Sequence, residues 1–160
     1  MHQKNNMIRL VTYGIVVLTF VSCRQWEIPA DLVGEWESRQ KVKVRTKEKG
    51  KFVFISAPDS VLLKFTIMED GTVKGNLGSA VFKNSRVRKN RGEIGKKLRL
   101  ATDFVIKGEL KGPVFPGDPN LNKIISIPFD ESNGQMRGSI FQMYSIDLYP
   151  MSGFDAIKQN

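Results

Sequence analysis

From Trp36 onward, apolar and polar residues alternate in short runs. Trp36, Val42 and Val44 take even positions, and Glu35, Glu37, Arg39, Lys41, Lys43 and Arg45 take odd ones. A period of two predicts a strand over 36–46 with one face in water. Residues 47–50 read as a polar turn. The stretch 51–55 resumes with Phe52 and Phe54 on one face, and 58–60 breaks it. Leu63, Phe65 and Ile67 align in 61–67, and Glu69-Asp70-Gly71 predicts a hairpin turn into 72–77. Residues 84–100 read as a basic loop with one helical turn over 93–98. Alternation returns in 103–110, where Phe104, Ile106 and Leu110 share a face. Three prolines and two glycines make 112–122 a long loop. Strands follow over 123–129, 136–142 and 144–149, with Asn133-Gly134 as a second hairpin signal.

A short repeat runs through these strands: apolar, basic, Gly, any residue, apolar. It appears as Val73-Lys74-Gly75-Asn76-Leu77, Ile106-Lys107-Gly108-Glu109-Leu110 and Met136-Arg137-Gly138-Ser139-Ile140. Each glycine falls on the inward phase. Glycine weakens a strand unless a bend or close packing requires it, and curved sheets use it as a kink. Eight or nine short strands without a long helix predict an all-β fold, an antiparallel up-and-down barrel of about eight strands. A β-sandwich is the alternative.

The start of the chain follows a different pattern. Lys4 and Arg9 precede an apolar run over 10–22 that ends in Phe20-Val21-Ser22-Cys23. That run is shorter than the ~20 residues of a spanning helix and fits a secretory leader. The chain's one cysteine is Cys23. A small residue directly before it resembles the lipobox of bacterial lipoproteins, with Phe20 where Leu is usual. The resemblance implies cleavage after residue 22 and acylation of Cys23. The expected organisation is a leader over 1–22, a lipidated tether over 23–31, a barrel over 32–150 and an irregular tail over 151–160. The expected address is the cell envelope, at the outer membrane facing the periplasm, because Arg24 and not Asp follows Cys23.

Two motifs bear on the barrel. Leu32-Val33-Gly34-Glu35-Trp36 opens the first strand with Gly-x-Trp, and Thr102-Asp103-Phe104 opens a later one. They resemble the first two signature motifs of the lipocalins, in the same order. The resemblance implies that Trp36 closes the barrel bottom beneath a late arginine, for which Arg137 is the candidate. Three strands after Phe104 and no helix depart from that family's pattern.

Composition narrows the chemistry. The one histidine is His2, so a chain cleaved before Cys23 has no imidazole and no free thiol. That excludes Ser-His-Asp and Cys-His catalysis, zinc sites built on His or Cys, and disulfides. The acidic pairs lie on solvated faces or in turns, without calcium-loop spacing, and Asp118 reads as a turn residue. No enzyme, metal or cofactor is expected. Without Lys4 and Arg9 the basic count falls from 25 to 23 against 16 acids, a net charge of +7. The basic surface is expected at Arg39, Lys41, Lys43 and Arg45 and at Arg86, Arg88 and Arg91. Nucleic acid is not an expected partner, since the basic stripe lacks interleaved aromatics. Trp36, Phe65, Phe104 and Phe129 are the candidate ligand contacts inside the barrel. Two functions remain open: an anchored binding protein holding a small apolar or amphipathic ligand, or a non-enzymatic envelope structural or interaction subunit with a filled barrel, acting through its basic surface.

Overall fold

A computed structural model describes residues 26–42, 45–48, 51–54, 61–90, 102–118, 121–144 and 147–159. Among the described residues ten strands form: β1 (Gly34–Ser38), β2 (Arg45–Glu48), β3 (Lys51–Phe54), β4 (Leu63–Ile67), β5 (Thr72–Leu77), β6 (Ala80–Lys89), β7 (Phe104–Lys111), β8 (Asn122–Ser132), β9 (Gln135–Tyr144) and β10 (Asp147–Lys158). Eight of them close into an antiparallel barrel in the order β1-β10-β9-β8-β7-β6-β5-β4, and β2 and β3 form a separate hairpin. The sheet closes because β1 pairs with β10 on one side (Trp36 opposite Lys158) and with β4 on the other (Trp36 opposite Phe65). That closure settles the choice between barrel and sandwich.

The strand expected over 36–46 stops early. Ser38 is buried, and its hydroxyl accepts the Leu63 N–H at 3.1 Å. The Arg39 N–H then donates to the Asp155 carbonyl, and the Val42 N–H to the Val61 carbonyl. The chain leaves the ring at that point, so the basic stripe of 39–51 is not one strand face. The helical turn expected over 93–98 lies outside the described residues.

Chain entry closes one end of the barrel. The Trp36 ring is fully buried, and its Nε1 donates to the Leu32 carbonyl at 2.9 Å. Lys158 crosses beneath it, with Nζ 5.8 Å from the ring centroid, within cation–π range, and donating to the Asp31 carbonyl at 2.9 Å. Lys158 thus takes the place expected for Arg137, which faces outward and pairs with Asp155 at 3.0 Å. Gly34 is required here: its φ is +135°, and a Cβ would lie 2.8 Å from Lys158 Cε. Trp26 packs on Phe104 with ring centroids 6.3 Å apart, and Ile28 packs against the core. Residues 26–31, expected as tether, are part of this floor.

The opposite end is closed by the β7–β8 loop. Val114 and Phe115 are buried and continuous with the core, as are Val42 and Val61. Asp118 is more than a turn residue: it is buried, accepts the Val114 N–H at 3.0 Å and pairs with buried Lys123 at 2.6 Å. Lys123 sits on the inward phase of β8, opposite Leu110. The tail expected to be irregular is strand as far as Lys158. A bulge near Met151, between the Pro150 and Ser152 pairings, reverses the alternation and hides the strand from a period-two reading.

The repeat glycines lie where the strands press closest. Gly138 stands opposite Phe129 on one side and Phe154 on the other. A Cβ there would lie 2.6 Å from the Pro128 carbonyl oxygen and 2.8 Å from both Phe129 Cβ and Phe154 Cε1. Gly75 and Gly108 flank an extra residue in β6 at Asn84–Ser85, where the pairing slips against both β5 and β7. Asn84 takes a left-handed φ of 48°, which asparagine tolerates.

Two stability predictions follow from this packing. Lys123→Met removes the cation that pairs with the buried Asp118 carboxylate and should cost about 3–5 kcal/mol. Urea unfolding checks it, and a loss below about 1 kcal/mol would mean that the pair does not hold the loop in place. Gly138→Ala should cost about 1–3 kcal/mol through overpacking against backbone and rings. An unchanged unfolding midpoint would show that β9 yields freely at this position.

Candidate functional site: a cationic outer face

Strand register decides which side chains reach water. On β5, β6 and β7 the outward positions carry Lys74, Lys83, Arg86, Arg88, Lys107 and Lys111, against the single acid Glu109. On β8, β9, β10 and β1 they carry Asp130, Asp155, Glu35 and Glu37, against the single base Arg137. The barrel is therefore electrically two-sided. Three cations on or beside the positive side are neutralised: Lys64 by Glu37 at 3.5 Å, Arg86 by Asp70 at 3.7 Å and Lys111 by Glu109 at 3.8 Å. Among the described residues, Lys74, Lys83, Arg88 and Lys107 have no acidic partner.

The bulge shapes this face. Between the Val73–Ser85 and Asn76–Val81 pairings, β5 and β6 lose register. A shallow depression of about 620 Å³ lies there, lined by Lys74, Lys83, Asn84 and Arg86 and by exposed Val81. A second depression of about 530 Å³ adjoins it through Thr72 and Lys74 and reaches Val33 and exposed Met68. Asp70 anchors the turn between them. Its carboxylate accepts the Thr72 N–H and the Thr72 hydroxyl, each at 2.8 Å. These bonds, with Arg86 nearby, hold its pKa below the usual 3.8.

The residues singled out from sequence divide into two groups. Trp36, Phe65 and Phe129 are buried on the inward phase, and half-buried Phe104 stacks on Phe129 at 5.6 Å. Phe65 meets the Phe82 ring edge-on at 6.2 Å. Arg86 and Arg88 lie exposed on the outer face of β6, and Arg39 and Lys41 are exposed beyond the end of β1. Cys23, Lys43 and Arg91 lie outside the described residues, as does the side chain of Arg45. Lys74, Lys83 and Lys107 belong to the cationic face but were not among the surface residues expected. A signal for two of them was present: in the repeat, a basic residue next to an inward glycine must point outward.

Asp70 also carries a pH dependence. A carboxylate whose pKa is lowered on folding stabilises the protein above its unfolded value and loses that contribution as pH falls through the folded value. Asp70→Asn should therefore be less stable than the parent at neutral pH, and the gap should close below pH 3.8. Thermal unfolding across that range tests this, and a gap independent of pH would remove the carboxylate from the account of the turn.

Comparison with known protein families, curated proteins and solved structures finds no match for this chain. The closed eight-stranded antiparallel barrel is compatible with a lipocalin-like architecture.

Proposed function

We propose that this chain is a lipid-anchored, non-enzymatic protein of the cell envelope that works through the outside of a filled barrel. The observation that carries the reading is the packing of the interior. Eight-stranded barrels have room either for side chains or for one small ligand. Here Trp36, Phe65, Ile106, Ile127, Phe129 and Ile140 are buried on the inward faces of their strands. Residues 26–33 pack across one end, and the loop carrying Val114 and Phe115 packs across the other. Among the candidate ligand contacts, Phe104 stacks on Phe129, and Phe65 meets the ring of Phe82. The asymmetric charge outside gives the barrel a face with which to meet a partner.

Anchoring rests on the sequence around Cys23, where a basic start, an apolar run and a small residue precede the only cysteine. Acylation by two or more chains holds a protein stably at a membrane. The address that fits is the periplasmic face of an outer membrane, because Arg24 follows the cysteine.

Mass spectrometry of the protein extracted from its own membrane tests both parts. The expected N-terminal residue is Cys23 bearing two or three acyl chains, and the expected native mass is that of the acylated chain alone. A chain retaining residues 1–22 without acylation would overturn the anchor. A stoichiometric small molecule lost on denaturation would restore the barrel as a container for an apolar or amphipathic ligand.

A further inference from the structure

We infer that the barrel lies on its side against an anionic lipid surface, with the outer face of β5 and β6 in contact with the headgroups. The inference rests on the anchored reading of Cys23. Two independent observations point the same way.

The first is charge. Lys74, Lys83 and Arg88 project from one side of the barrel and have no acidic partner among the described residues, whereas acids outnumber bases at the outward strand positions of β8, β9, β10 and β1. A surface of fixed negative charge attracts the first face and repels the second.

The second is where the chain leaves the barrel. Trp26 packs on Phe104, and Phe104 pairs in register with Lys89 at the end of β6. Phe104 also pairs with Phe129 of β8, so the chain leaves the barrel at the β7 rim, adjoining the end of the cationic face. Only three residue steps separate Trp26 from Cys23, at most roughly 11 Å of extended chain. That is close to the Debye length of about 8–10 Å, so cations at this rim stay near the range within which headgroup charge is felt. Trp26 is itself 38% exposed, an aromatic side chain of the kind that settles at a membrane–water boundary.

Val81 and Gln135 distinguish the possible orientations. Val81 is exposed on the cationic face but near the barrel end away from Trp26. Gln135 is exposed on the opposite side, near the end where Trp26 sits. The acylated full-length protein, carrying a fluorophore at Val81→Cys or at Gln135→Cys, is placed in phosphatidylcholine vesicles with or without about one-third phosphatidylglycerol. Quenching by a headgroup-linked quencher is then read.

With phosphatidylglycerol, the label at Val81→Cys should be quenched at least about twofold more than the label at Gln135→Cys. The difference should vanish in high salt and in a Lys74→Glu, Lys83→Glu, Arg88→Glu variant. The salt arm stands if that variant does not fold. Equal quenching, or stronger quenching at Gln135→Cys, in protein that still floats with the vesicles at high salt would overturn the side-on orientation and leave the anchor intact. Equal quenching would also leave the cationic face free for a soluble acidic partner. Protein that sediments away from vesicles at high salt would instead remove the anchor on which the inference rests.

Discussion

The floor beneath Trp36 is the constraint on which the rest of the molecule depends. The indole donates to a carbonyl four residues earlier in the chain, and Lys158 spans the ring from the last strand to reach Asp31. A single cluster thus ties together the entering chain, the first strand and the end of the last. That is the seam at which the barrel must close. An unclosed eight-stranded sheet would expose two edges ready to pair with other chains. Here the edges of β1 are taken by β4 and β10, and the cation at the chain's end is used for packing and hydrogen bonding instead of solubility.

In the proposed reading, a filled interior moves specificity outward. Phe65, Phe129 and Phe154 occupy the space that Gly75 and Gly138 leave, so these glycines serve close packing. What the outside offers is shaped by the bulge at Asn84–Ser85. Because one extra residue enters β6, the side chains after it change sides: Phe82 points in, and then Ser85 and Val87 do. The same slip turns Arg86 and Arg88 outward beside Lys74. Without the bulge, an unbroken alternation from Phe82 would direct Arg86 and Arg88 into the core and leave Val87 in water.

The bulges also explain which parts of the fold could be read from the sequence. Strands with unbroken alternation, such as Leu63–Ile67 and Phe104–Leu110, were legible, as was the inward phase of the three repeat glycines. The stretch from Asn84 to Lys89 looked like a basic loop because its period changes phase at the bulge. Met151 to Lys158 looked irregular for the same reason: Pro150 faces out opposite Phe141, whereas Phe154 and Ala156 face in after the slip. Period-two reading detects a strand only between such slips. The Asp118–Lys123 pair gave no signal, since a loop residue bonded to a strand residue five positions later has no periodicity. Lys158 was invisible as a packing residue because its role comes from barrel closure, a contact across more than a hundred residues.

The proposed membrane contact depends on the tether being part of the fold. A long flexible linker would let the barrel tumble, and scattered lysines would then contribute little at physiological salt. Packing Trp26 and Ile28 onto the barrel removes most of that freedom. Individually, basic residues near an anionic surface contribute only about 1 kcal/mol each. If acyl chains attach the protein to the same surface, as proposed, these residues do not have to capture the membrane and need only choose among orientations, which so small an energy can do. The distribution of charge around the barrel therefore matters more than its total. That is why seven net positive charges in a cleaved chain can coexist with a face as acidic as that of β8 to β1.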